Sequence, residues 1–297
     1  METAKRATLK MDFHIHSTFS DGTDTPAVIL ERLREGGFTH FSLSDHDSLK
    51  GCAEMERLLT TGDPAFIRGA EFSCEDERGK YHVLAYGYDP AAPSMTALVD
   101  TSHGYRVDRV KRRLDLLKKA CGFSLTEAER EVLFALNNPG KPHIAEYMIK
   151  YGYAATIGEA FDNYLNKYEC GGDHVKPEDA IIAIKEAGGI PVLAHAPFGS
   201  GNQRLAAEEV EARLKRFIPC GLRGLEGYYS KYTSEMQSEM LSLADKYDLF
   251  VTAGSDYHGT HKTVSLGETH LEMTESYPDG LLAFLQEVEK RKVIAAK

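Results

Sequence analysis

Histidine and carboxylate residues recur in this chain at spacings that suit divalent-metal chemistry. His14 and His16 lie two apart in the run MDFHIH over 11–16. Residues i and i+2 of a strand face the same side, so both imidazoles can converge on one point. Asp21 follows in Ser20-Asp21-Gly22, and Asp45-His46-Asp47 closes a second apolar run. Glu71 ends a third run, His82 opens a fourth, and Ala194-His195 ends a fifth. Asp256-Tyr257-His258 closes a seventh with another i, i+2 pair. Imidazole and carboxylate without thiolate is a donor set for Zn, Mn or Fe. A single His-x-His is explained as well by a hydrogen-bonded structural histidine. Such a histidine needs one partner and has no reason to recur beside acids at strand ends, so the joint pattern reads as a metal cluster.

The elements that must position these residues are short branched or aromatic runs bounded by Gly, Pro or Asp. They lie at 11–16, 39–44, 66–72, 81–88, 190–195, 222–228 and 249–255. Helical patterns alternate with them at 26–36, 177–187, 205–217, 233–247 and 279–291. In the first, Thr25 stands as N-cap, Pro26 at N1 and Gly36 as the stop. The alternation predicts parallel strands with crossover helices, whose C-terminal ends converge on one side where active sites form. Seven strands suit a closed or nearly closed barrel as well as an open sheet. Between 99 and 174 only helical patterns occur, at 104–120, 126–136, 142–151 and 156–165. The organisation expected is therefore a barrel over 1–98 and 175–297, with 99–174 as a helical insertion and substrate lid.

Composition excludes several other classes. The 297 residues carry 35 Lys+Arg against 45 Asp+Glu, a net charge of −10, with 42% hydrophobic and 27% charged residues. This is a globular composition. No apolar run approaches the ~18 residues of a membrane span, and METAKRATLK has no apolar stretch of a secretory signal. The acidic balance argues against binding duplex nucleic acid, which depends on basic surfaces. Cys52, Cys74, Cys121, Cys170 and Cys220 are odd in number and form no C-x-x-C pair. They read as reduced thiols of a cytoplasmic protein, with no disulfide framework or cysteine zinc site.

Other residues read more plainly. His40, inside an apolar strand, is expected to be a satisfied core histidine; His103, His174, His261 and His270 are expected to face solvent. Glu226, in Gly224-Leu225-Glu226, is expected to support a ligand and not to coordinate directly. The basic stretch with Arg106, Arg109, Lys111, Arg112, Arg113, Lys118 and Lys119 reads as a solvated face ahead of a phosphate clamp.

Taken together, the motifs resemble the polymerase and histidinol phosphatase (PHP) domain family. They are DFHIHSTFSDG (12–22), SDHD (44–47), GAEFS (69–73), HVLAYG (82–87), LAH (193–195) and GSDYHG (254–259), in the family's order. The helical insertion and the Gly224-Leu225-Glu226-Gly227-Tyr228 element resemble its stand-alone bacterial phosphoesterases, related to nucleoside 3′,5′-bisphosphate phosphatases. The resemblance implies a distorted (β/α)7 barrel with two to three divalent ions, Mn, Zn or Fe. It implies His14, His16, Glu71 and Asp256 at one ion, Glu71, His82 and His195 at a second, and Asp21, His46 and His258 at a third. Asp21, His46, His195 and His258 are the catalytic candidates. Where many relatives carry an arginine, this chain reads Lys141-Pro142-His143-Ile144-Ala145, so Lys141 and His143 are expected to contact phosphate, with Tyr229, Ser230 and Lys231 as further contacts.

Phosphate ester hydrolysis needs an activated water, neutralised phosphoryl oxygens and a stabilised leaving alkoxide, and a multimetal site supplies all three. Three dications against Asp21, Glu71, Asp256 and one hydroxide bridging the ions leave about +2, suited to a monoester dianion. The expected activity is hydrolysis of a small phosphorylated metabolite, a nucleotide of the 3′,5′-bisphosphate type, by attack of that hydroxide on phosphorus. A cyclic phosphodiesterase and a histidinol phosphatase are the alternatives with the same cluster. A metal amidohydrolase would need a bridging lysine in a mid-barrel strand, which these runs lack. A polymerase-accessory role is disfavoured by the charge. The oligomeric state is not legible.

Overall fold

The fold comes from a computed structural model and is described for residues 9–168, 171–198, 204–271 and 276–295, with side chains through 290; Cys170 lies outside these residues. The strands are β1 (Met11–Ile15), β2 (His40–Leu43), β3 (Ala65–Asp76), β4 (Gly79–Tyr86), β5 (Ile190–Leu193), β6 (Gly224–Tyr229) and β7 (Phe250–Gly254). They form one sheet in chain order, and β7 returns to β1. The return is made by main-chain bonds from Asp256 N–H to the His14 carbonyl (2.8 Å) and from His16 N–H to the Tyr257 carbonyl (2.9 Å). The sheet is thus a nearly closed seven-stranded barrel, and each expected strand is present.

One expectation is corrected. β4 runs antiparallel to both β3 and β5, while the remaining paired neighbours in the order β1 to β7 are parallel. Only Glu77 and Arg78 separate β3 from β4, too few residues for a crossover helix, so a hairpin forms. The reversal places the N-terminal half of β4 at the barrel end where the other strands finish. That is why His82, near a strand start, joins residues at strand ends.

The helices α1 (Pro26–Glu35), α2 (Lys50–Leu58), α7 (Pro177–Glu186), α8 (Ala207–Phe217), α9 (Ser234–Lys246) and α10 (Asp279–Ala295) accompany the barrel. Thr25 caps α1, its hydroxyl accepting the Val28 N–H. The sequence pattern had not marked α2, whose buried positions are only Gly51, Cys52 and Met55. Packing of α10 on the barrel is aromatic: Phe284 meets Phe13 and Tyr86 edge-on, each at 5.3 Å between centroids.

The insertion contains α3 (Pro93–Cys121), α4 (Glu127–Phe134), α5 (Lys141–Lys150) and α6 (Ile157–Ala160), which runs on into a π-helical turn over Phe161–Leu165. Helix α3 begins well before the expected residue 104. Its Met95 and Leu98 belong to the barrel core. Its Val110, Leu114 and Leu117 belong to a separate core with Phe123, Leu133, Ile144 and Met148. One continuous helix therefore spans both hydrophobic clusters.

Candidate metal centre

β1 alternates its side chains so that Asp12, His14 and His16 share one face, and all three are fully buried. Gly254 on β7 permits the close approach of the two strands: a Cβ there would lie 2.3 Å from His14 Cβ and 2.4 Å from Glu226 Oε1. Three residues at this barrel end have left-handed backbones, Asp47 (φ 50°), His195 (φ 26°) and Asp256 (φ 60°). Strain of this kind concentrates at functional sites, where surrounding structure must maintain it.

The side chains converge in three overlapping groups whose donor atoms lie within 4.8 Å of one another: His14, His16, Glu71 and Asp256; His16, Asp21, His46 and His258; and His46, Glu71 and His82. Glu71 is the centre. Its Oε2 lies 3.2 Å from His14 Nε2, 3.2 Å from His16 Nε2 and 3.1 Å from His46 Nδ1. Its Oε1 lies 2.8 Å from His82 Nδ1 and 3.2 Å from His195 Nε2. All nine anticipated ligands are therefore drawn together. The grouping differs from the expected one in that His16 and His46 each serve two groups, while His195 joins through Glu71 and His82.

These residues suit divalent ions. Buried His14 Nε2, His16 Nε2, Asp21 Oδ1, His46 Nδ1 and Glu71 Oε2 make no hydrogen bond, although they crowd within ion-pairing distance. Buried polar atoms left this way need a compensating partner, and convergent lone pairs are what a cation satisfies. Surrounding bonds aim them. His14 Nδ1 lies 2.9 Å from Glu226 Oε1, which directs Nε2 to the centre; the other Glu226 oxygen accepts the His195 N–H at 2.7 Å. His258 Nδ1 lies 2.8 Å from the Asp256 carbonyl and turns its Nε2 to Asp21 Oδ1, at 3.2 Å. Glu226 thus occupies the supporting place its motif suggested. Asp45 fixes the loop after β1 by accepting from Ser17 N–H and Oγ (2.8 Å each) and Ser20 Oγ (2.7 Å).

Electrostatics reflect the crowding. Burial disfavours charge on His14, yet the Glu71 and Glu226 carboxylates hold it well above the ordinary histidine range. For His16 burial likewise opposes protonation, and the adjacent Asp256 and Glu71 carboxylates push it up to about 9. Burial opposes ionisation of Glu71, but His82, His14 and His46 hold it well below the usual carboxylate range. His46 is driven well below the histidine range, chiefly by burial. Without metal, the raised His14 and His16 favour protons that offset the neighbouring carboxylates.

Among the substrate candidates, Tyr229 is buried; its hydroxyl donates to Asp256 Oδ2 at 2.8 Å and its ring lies 5.2 Å from that of His195. The Ser230 Oγ is buried without a hydrogen-bond partner, and its carbonyl accepts from His270 Nε2. Lys231 is exposed. Lys141 Nζ donates to Asn166 Oδ1 at 2.8 Å, within the insertion. His143 Nδ1 accepts the Gly140 N–H, and the ring is held below the ordinary range by burial, with Asp21, Arg106 and His261 among the charges it senses. His40 is half-buried at the first position of β2 beside Thr39, not a core residue. His103, His174, His261 and His270 each have a protein partner; His261 Nδ1 lies 2.7 Å from the Asp21 carbonyl.

The basic helix is corrected at three arginines, while Lys111, Arg112, Lys118 and Lys119 are exposed as expected. Arg106, Arg109 and Arg113 share one face of α3 at i, i+3 and i+7. Arg106 bonds Asp47 and Ser73 on the barrel, Arg109 the Asp173 carbonyl, and Arg113 the Leu165 and Tyr168 carbonyls. These arginines bind the protein itself. Two cations escaped sequence reasoning: Arg106 as a link to Asp47, hidden in an undifferentiated basic run, and Lys262, in a loop with no periodic signal. Lys262 Nζ donates to Asp256 Oδ2 at 2.6 Å.

A seven-stranded barrel carrying this cluster defines a class, and the comparisons agree: the chain belongs to the PHP domain family, whose model matches residues 12–186, and it is a metal-dependent phosphoesterase. It is 31% identical over 257 residues to the phosphoribosyl 1,2-cyclic phosphate 1,2-diphosphodiesterase of Eggerthella lenta, covering 84% of this chain and 94% of the relative. It is 28% identical to a 5′-3′ exoribonuclease of Haemophilus influenzae (91% and 97% covered) and 25% identical to the 3′,5′-nucleoside bisphosphate phosphatase of Chromobacterium violaceum (95% and 97%). A candidate metal-dependent phosphoesterase from Bifidobacterium adolescentis has a similar structure, with TM-score 0.78 and 30% identity over 94% of this chain and 96% of that one. Among the described residues, no helix is long and apolar enough to cross a membrane.

Proposed function

We propose that the chain hydrolyses a small phosphorylated metabolite, of the nucleoside 3′,5′-bisphosphate type, with His14, His16, Asp21, His46, Glu71, His82, His195, Asp256 and His258 holding two to three divalent ions. The observation that carries this reading is the set of three overlapping donor groups around buried Glu71. Bound ions would lower the pKa of water and neutralise phosphoryl oxygens. Glu226, Tyr229 and the Asp256 carbonyl orient the donors, so little reorganisation remains when charge develops. The open edge of the cluster is formed by Asp21 and His82, with side chains 29% and 32% exposed. A substrate enters there, and the insertion, through His143, covers its non-reacting part as a lid.

The same centre serves a cyclic phosphate diester, and the Eggerthella relative favours that as the second reading. Phosphate release from nucleoside bisphosphates and monophosphates, against ring opening of cyclic phosphates, separates the two. Turnover of no phosphate ester by the manganese-, zinc- or iron-loaded protein refutes both.

A further inference from the structure

Asp256 uses its two oxygens differently. Oδ1 faces the donor groups, 3.3 Å from His16 Nε2 and 3.6 Å from His14 Nε2. Oδ2 faces away and accepts from both the Tyr229 hydroxyl (2.8 Å) and the Lys262 ammonium (2.6 Å). Tyr229 already gives this nearly buried carboxylate one hydrogen bond on that oxygen. A full positive charge one carboxylate width from a cation centre opposes the ions that Asp256 helps to hold. That arrangement becomes favourable when an anion joins the site.

An ammonium carries three donors. One is spent on Asp256, and Lys262 has no second hydrogen-bond partner among the described residues. Its side chain is 32% exposed, whereas that of Asp256 is 7% exposed, so Lys262 stands on the open side of the carboxylate. Two other cations considered for phosphate are engaged with the protein: Lys141 with Asn166, and Arg106 with Asp47 and Ser73. We propose that Lys262 is a substrate-binding residue of the centre, donating to a phosphoryl oxygen while Asp256 Oδ2 holds the ammonium in place. The inference rests on the phosphoesterase reading above.

The test compares wild type, Lys262→Met and Lys262→Arg, using Mn2+ alone and then orthophosphate on the Mn2+-loaded proteins, by calorimetry. Lys262→Met should bind Mn2+ at least as tightly as wild type, since a repelling charge is gone. Its orthophosphate affinity should fall about tenfold, the worth of one charge-assisted hydrogen bond, and KM for a hydrolysed ester should rise more than kcat falls. Lys262→Arg should recover most of the loss. Unchanged orthophosphate binding overturns the proposal, as does a parallel loss of Mn2+ binding, which would make Lys262 a support for Asp256 only. If Lys262→Met does not fold, Lys262→Gln is read by the same criteria. A wild type that binds Mn2+ but neither orthophosphate nor any phosphate ester refutes the phosphoesterase reading and the Lys262 role with it.

Discussion

Histidines in this centre owe their roles to a second partner. His14 and His258 each place one ring nitrogen on an oxygen, leaving the other to face the centre. Replacing Glu226 by Gln should disturb His14 and the His195 backbone together and weaken metal binding about 10- to 100-fold; calorimetric titration with Mn2+ checks this. Asp21→Asn or His258→Ala should lower turnover about 100-fold or more with the fold retained, measured by phosphate release alongside circular dichroism. Unaffected turnover in either would remove that residue from the site. The raised histidines fix a sign for pH. His16, pushed up to about 9, carries a proton below that value in the metal-free protein. An incoming cation must displace it. Metal binding should therefore release protons and tighten as pH rises towards 9. Binding heats in buffers of different ionisation enthalpy count those protons, and a null count contradicts the assignment.

Elements decide which residues can meet. The β3–β4 hairpin turns β4 around and sets His82 opposite Ser73, one strand away from Glu71. Without that reversal His82 would lie at the far end of the barrel. The insertion is joined to the same rim by α3, whose Arg106 reaches Asp47, the neighbour of His46. Asp47 is 3% exposed, so Arg106→Met leaves a buried carboxylate without its cation. The expected cost is about 3–5 kcal/mol, read as a lowered denaturation midpoint. Loss of stability below about 1 kcal/mol would mean that Asp47 is adequately held by the Ser73 N–H alone.

The whole molecule is acidic, at −10, yet its functional end converges donors suited to metal ions. Asp21, Glu71 and Asp256 supply three of the negative charges and lose their effect once ions bind. Metal should also stabilise the fold, because the donors converge only in the native state. At a concentration 100 times Kd the gain is about 2.7 kcal/mol. Scanning calorimetry with and without a chelator measures it, and an unchanged midpoint would argue against a preformed site. Of the described cysteines, all are free thiols, with Cys52 and Cys74 buried in the barrel. Burial pushes the Cys52 thiol up to about 12, which keeps it protonated at neutral pH.

Strand positions and the nine converging residues were legible in sequence because period-2 alternation and strand-end punctuation are local properties. His14 and His16 had to share a face once their segment was extended, whatever surrounded it. The helical character of 99–174 was equally local. What only tertiary structure decided was non-local: the direction of β4, set by a hairpin too short to cross over; the shared use of His16 and His46, where residues from several strands meet; and the fate of the lone cations. Arg106, Lys141 and Lys262 have the same formal charge. Their partners, Asp47, Asn166 and Asp256, lie 59, 25 and 6 residues away, and distance along the chain says nothing about which cation faces the centre. Charge is written in the sequence, but its direction is a property of the folded surface.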